Sequence, residues 1–120
     1  MDYRVIIAGG RKFDNYKLLC EKVDFYLSEK FKTHKIVIVS GMATGADMLG
    51  CKYARDHALE ILSYPADWEK YGKAAGPIRN EKMAKDSDAL IAFWDGESRG
   101  TKSMIDLAKT YGLKTAVIRY

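Results

Sequence analysis

Three short stretches of this chain are apolar at every position, and each runs into a loop of glycine or small polar residues. Val5-Ile6-Ile7-Ala8 ends at Gly9-Gly10, Ile36-Val37-Ile38-Val39 at Ser40-Gly41, and Ala89-Leu90-Ile91-Ala92-Phe93-Trp94 at Asp95-Gly96. A strand that is apolar on both faces must be covered on both, which a parallel sheet between two helix layers provides. Leu59 to Ser63 and Lys114 to Ile118 read as two further strands. The intervening segments have helical spacing. Residues 15–31 repeat Leu19, Val23, Tyr26 and Leu27; residues 46–57 carry Leu49, Tyr53 and Ala54; residues 101–111 carry Met104, Ile105, Ala108 and Tyr111. The pattern predicts an α/β fold, a Rossmann-like three-layer sandwich with a parallel sheet of about five strands and right-handed crossovers. Ligands of such folds sit beyond the carboxyl ends of the strands, where the strand order reverses.

The rhythm fails once. Tyr64 to Gly76 is long for a strand-to-helix connection, usually about 2–6 residues, and carries Trp68 and Tyr71 without periodicity. It reads as an aromatic lid on the ligand side. Gly76-Pro77 then reads as a helix start, with proline at the first helical position.

A length of 120 residues fits one domain over residues 1–120. No apolar run approaches the roughly 20 residues that cross a bilayer, and the apolar part of MDYRVIIAGG is too short for a signal peptide. Cys20 and Cys51 lie far apart and outside any CxxC pattern, as expected of buried, reduced thiols in a cytoplasmic protein. His34 and His57 lack partners at metal-ligand spacing and read as helix-end or loop residues, so neither metal nor cofactor is expected. The net charge of +4 suits an anionic ligand. Scattered lysines such as Lys17, Lys22, Lys30 and Lys32 read as the solvated face of one helix.

The chemistry is concentrated in four loops: Gly9-Gly10-Arg11; Ser40 to Asp47; Gly76 to Asn80; and Asp95 to Thr101. Seven of the ten glycines and three of the six arginines lie in them. A parallel sheet gathers such loops at one edge. Glycines let backbone N–H groups approach an oxyanion, and a helix N-terminus adds unpaired donors. Gly45 and Gly100 stand where helices are predicted to begin. Arg11, Arg79 and Arg99 can grip phosphate with paired hydrogen bonds, and Ser40 and Thr101 can donate hydroxyls. Asp47 and Asp95 suit ribose hydroxyls or the amino edge of a base. Asn80 is a cap or a ligand contact. Arg79, Asp47, Glu81 and Asp95 are the candidates for acid, base or charge-stabilising work. Gly41 to Gly45 has Walker-like spacing, but Ala46-Asp47 replaces the lysine and hydroxyl of a P-loop. Gly9-Gly10-Arg11 is not GxGxxG.

These residues resemble a known family. SGMATGAD and Pro77-x-Arg79-Asn80 are similar to motifs of the SLOG superfamily, which includes the DNA-processing protein DprA and the LOG phosphoribohydrolases. The YspA, cpYpsA-related SLOG branch has the pattern GGRxF, SGGAxGAD, PADWxxYGKxAGPxRN and FWDGxSxGT. This chain reads Gly9-Gly10-Arg11-Lys12-Phe13, SGMATGAD, PADWEKYGKAAGPIRN and FWDGESRGT, nearly end to end, with Met42 at the second glycine. The resemblance implies a binder of a nucleotide or nucleotide derivative, ADP-ribose-like among the options, acting as a sensor or processing module.

On that reading phosphate meets Gly100, Thr101 and the helix start, with Ser98 and Gly96 in the same loop. Arg11, Arg79 and Arg99 neutralise it, Asp47 or Asp95 meets ribose, and Trp68 or Tyr71 covers the base. A LOG-like hydrolysis of a nucleoside monophosphate is one alternative, although Met104 holds the position of the LOG glutamate. DprA-like binding of single-stranded DNA is the other, with Glu81 in place of the second arginine of that motif. Relatives of this fold often pair, so a homo-oligomer is a further expectation.

Overall fold

The computed structural model describes residues 1–120. Five parallel strands form one sheet in the order β3-β2-β1-β4-β5: β1 (Asp2–Gly9), β2 (Lys35–Ser40), β3 (Glu60–Ser63), β4 (Ala89–Trp94) and β5 (Lys114–Arg119). Six helices accompany them: α1 (Tyr16–Leu27), α2 (Lys30–Thr33), α3 (Ala46–Asp56), α4 (Trp68–Tyr71), α5 (Ala75–Asp86) and α6 (Arg99–Thr110). The chain steps outward from β1 to β3, then returns through α5 to place β4 on the other side of β1. The strand order therefore reverses between β1 and β4, where Val5 to Gly9 align with Ala89 to Phe93.

The alternation of side chains along each strand builds a core on each face. Val5, Ile7, Ile36, Ile38, Ile91 and Phe93 pack with Leu19, Val23 and Leu27 of α1 and with Tyr53 and Ala54 of α3. On the opposite face Ile6, Ala8, Val39, Leu90 and Ala92 meet Met83 and Ala84 of α5 and Met104, Ile105 and Ala108 of α6. The fold is the α/β sandwich that the apolar runs predict. No helix is long and apolar enough to cross a membrane.

Three local expectations are corrected. The helix expected over residues 15–31 is interrupted after Leu27, the last side chain of α1 that reaches the core. There the Ser28 hydroxyl donates to the Phe25 carbonyl at 3.2 Å, a local bond that competes with the helical ladder. Tyr26 is exposed rather than inward, and Lys30 and Lys32 fall on α2, which buries nothing. Residues 64–76 are not a structureless lid. Asp67 caps α4 by accepting the Lys70 N–H at 3.1 Å, and a single tight turn over Gly72–Ala74 leads into α5. Finally, α5 begins at Ala75, so Pro77 stands at its third position, still in the first turn where its missing N–H costs nothing.

Candidate functional site

A cavity of about 380 Å³ opens at the carboxyl ends of β1 and β4, at the reversal of strand order. The β1 end supplies Gly9, Gly10, Arg11 and Lys12, and the start of α3 supplies Asp47 with Ala43 before it. From α5 come Arg79, Asn80 and Met83; from the β4 loop and α6 come Asp95, Ser98, Gly100, Thr101 and Met104. Tyr120 forms a further wall.

The β1 and β2 loops are fastened together at one atom. The Gly10 carbonyl accepts the N–H groups of Phe13 and Ala46, both at 3.2 Å. Gly45, with φ at 79°, presses its Cα against Gly10 and Arg11, leaving no room for a side chain. The N-terminus of α3 is therefore spent partly on the neighbouring loop, and Gly45 is not part of the cavity lining. Ser40 is also absent from the lining. Its hydroxyl accepts the Met42 N–H at 3.1 Å and is fully buried. Met42 adopts φ of 64°, a left-handed conformation that costs a side-chain-bearing residue about 1–2 kcal/mol.

Arg79 reaches across from α5. It donates through Nη1 to the Gly41 carbonyl at 2.6 Å and through Nε to Asn80 Oδ1 at 2.9 Å. Gly41 is thus a support for the guanidinium, and a Cβ there would stand 2.7 Å from Nη1 and 3.0 Å from Asp47 Oδ2. Burial lowers the Arg79 pKa from its ordinary value; Asp47 opposes the shift and Arg11 adds to it. No carboxylate lies within ion-pair distance of Arg79 or Arg11.

Asp47 is 6% exposed. Burial pushes its carboxyl up to about 6, against the downward pull of the Ala43 N–H, Arg79, the Gly9 N–H and Arg11. The Ala43 N–H donates to its Oδ2 at 3.3 Å. A buried carboxyl that titrates near neutrality beside arginine can exchange a proton or hold a hydroxyl.

The two other carboxyl candidates behave differently. Asp95 lines the cavity, but its Oδ1 accepts the N–H groups of Glu97 and Ser98, each at 2.8 Å. Those bonds, Ser98 first, hold its pKa below the usual carboxylate value, so Asp95 orders the loop and stays ionised. Glu81 is exposed, pairs with Lys85 at 3.5 Å and lies outside the cavity lining.

The N-terminus of α6 opens onto the cavity at Ser98, Gly100 and Thr101. The Ser98 hydroxyl accepts the Thr101 N–H at 3.4 Å and lies 3.0 Å from the Thr101 hydroxyl. Trp94 Nε1 secures the loop by donating to the Ser98 carbonyl at 3.1 Å. Gly96 is set apart beneath the Arg119 guanidinium, and Arg99 is exposed outside the lining. Trp68 and Gly41 belong to an adjoining basin, and Tyr71 to a third hollow.

Of the residues singled out from the sequence, the cavity unites Gly9, Gly10, Arg11, Asp47, Arg79, Asn80, Asp95, Ser98, Gly100 and Thr101. It leaves out Ser40, Gly41, Gly45, Trp68, Gly96, Arg99 and Glu81. Sequence reasoning overlooked Lys12, Ala43, Met83 and Tyr120 as lining residues. Lys12 occupies the variable position of the GGRxF motif; nothing local marks Tyr120. Its ring packs 4.7 Å from Phe13, which stacks 4.8 Å from Phe93, and its hydroxyl abuts Gly10.

The model of the YspA, cpYpsA-related SLOG family matches residues 3–71, from β1 through α4. The chain belongs to that family. It is also 30% identical over 116 residues to the Gene 61 protein of Mycobacterium phage D29, covering 92% of this chain and 91% of that protein. No solved structure matches. The family match contains the Gly9 and Ser40–Asp47 loops, whereas Arg79 and the α6 N-terminus lie beyond it.

Proposed function

We propose that this protein binds a nucleotide or nucleotide derivative in the cavity between β1 and β4, as a sensor or nucleotide-processing module. The observation that carries the reading is the convergence of Arg11, Arg79 and the α6 N-terminus on one basin at the strand-order reversal. Phosphate is favoured there by the Gly100 N–H, which the Ser98 cap leaves free, by the Thr101 hydroxyl and by the helix dipole. The guanidinium groups, without carboxylate partners, supply the balancing charge. Asp47 and Asn80 offer an acceptor and an amide for ribose or base. An ADP-ribose-like molecule meets the same requirements as a mononucleotide.

Titration calorimetry with AMP, ribose 5-phosphate and adenosine tests the reading. Phosphate-bearing ligands are expected to bind at least about tenfold more tightly than adenosine, with Arg79→Ala removing most of that difference. Equal affinity for adenosine and AMP, or no binding of any, contradicts it. Steep weakening with salt in binding a single DNA strand, with no affinity for AMP, favours the DprA-like alternative.

The buried Asp47 carboxyl favours one second reading, cleavage of an N-glycosidic bond. Its pKa near 6 suits a group that gives or takes a proton, while Met104, at the LOG glutamate position, is an apolar wall. Release of free adenine from AMP, lost in Asp47→Asn, supports this reading. Binding without release leaves the module non-hydrolytic.

A further inference from the structure

The second basin, about 320 Å³, adjoins the main cavity, and Arg11, Ala43 and Arg79 line both. Both hold thioethers, Met83 and Met104 in the main cavity and Met42 in the second. The main cavity concentrates the hydroxyls, carboxylates and amide donors, with the Tyr120 ring as one wall, whereas the second sets the exposed Trp68 indole beside the Pro65 ring and the Thr44 hydroxyl. Trp68 is 52% exposed although it is held on a capped turn. A Cβ on Gly76 would stand 3.5 Å from the indole edge and 4.0 Å from Arg79 Nη2, so the ring lies over the first turn of α5 beside the guanidinium. An exposed aromatic ring, a proline ring and a polarisable sulfur suit a flat ring better than a phosphate or a sugar. The boundary between the basins is cationic, and the flat surface lies on its far side from the α6 N-terminus.

We propose that the second basin is the subsite for a planar group at the far end of a two-ended ligand, whose phosphate or diphosphate linker crosses Arg11 and Arg79. One ring stacks on Trp68, the linker lies between the guanidinium groups and the α6 N-terminus, and the other end faces Asp95 and Tyr120. The preferred ligand class is a dinucleotide or similarly bridged compound rather than a mononucleotide. This rests on the nucleotide reading of the main cavity and adds to it the length of the ligand and a role for Trp68.

The test compares AMP with diadenosine diphosphate and NAD⁺ by titration calorimetry, on the wild-type chain and on Trp68→Ala and Trp68→Phe. At least one two-ended compound is expected to bind about tenfold or more tightly than AMP. Trp68→Ala should bring its affinity down to the AMP level, and Trp68→Phe should restore most of the difference because the ring remains. The exposed position of Trp68 keeps the fold out of the comparison; circular dichroism of the variants checks this. Two-ended compounds that bind no better than AMP overturn the proposal and leave the nucleotide reading intact. So does an equal loss for all ligands in Trp68→Ala. Failure of every compound to bind overturns both.

Discussion

At the scale of single residues, Asp47 carries the clearest consequence. Its carboxyl is raised to about 6 by burial, from an ordinary value of 3.8. An acid whose folded pKa is raised stabilises the fold while protonated. That contribution is complete below about pH 4 and is lost as pH rises through about 6. Asparagine stays neutral and its carbonyl can still accept the Ala43 N–H. Asp47→Asn is therefore expected to be more stable than wild type by about 2–3 kcal/mol at pH 8. The difference should shrink toward zero near pH 4. Urea denaturation at both pH values measures it; a variant less stable at pH 8 would show that the attraction of Arg79 and Arg11 and the backbone N–H bonds outweigh burial. Met42 makes a related point. The family pattern places glycine there, and the φ of 64° gives the physical reason. The sequence shows only that Met42 stands at the family's second glycine; the backbone conformation gives the reason a glycine suits the position.

At the scale of elements, the strands were readable because β1, β2 and β4 are apolar on both faces, and β4 has the limits read from its sequence. What escaped had weak local signals. α4 is four residues long and buries none, so it imposes no periodicity on residues 64–76. α1 ends where its inward side chains end, although the helix-favouring composition continues. The glycine loops were legible as turns, but their tasks were not. Gly45 and Gly41 serve neighbouring loops and Arg79, whereas Gly100 lies at an open helix start with no atom near its pro-Cβ position. The two kinds of glycine should differ in their sensitivity to a side chain. Gly45→Ala, strained at φ of 79° and overlapping the Gly10 carbonyl, should cost at least about 1–3 kcal/mol of stability. Gly100→Ala should leave stability within about 0.5 kcal/mol. Thermal unfolding of the two variants compares them; equal losses would contradict this division of labour.

At the scale of the whole molecule, the site is a product of topology. The strand order β3-β2-β1-β4-β5 sets the ends of β1 and β4 side by side, and the return through α5 carries Arg79 over the opening. Three loops and the first turns of α5, distant in sequence, thereby share one cavity, as a parallel sheet requires of connections at one edge. Tyr120 joins them because β5 pairs with β4 and delivers the residue after Arg119 to the same end. That contact depends on strand pairing, which no local pattern encodes. The split between the main cavity and the Trp68 basin depends on how α4 sits against α5, and so was equally hidden.

The central claim is that Arg11, Arg79 and the α6 N-terminus form one anion-centred nucleotide site. Amide NMR during titration with AMP tests it most directly. The largest shifts should fall together on Gly10, Arg11, Gly100 and Thr101, saturate with a single affinity, and be lost in Arg79→Ala. Shifts confined to another face of the sheet, or unchanged in Arg79→Ala, would contradict it.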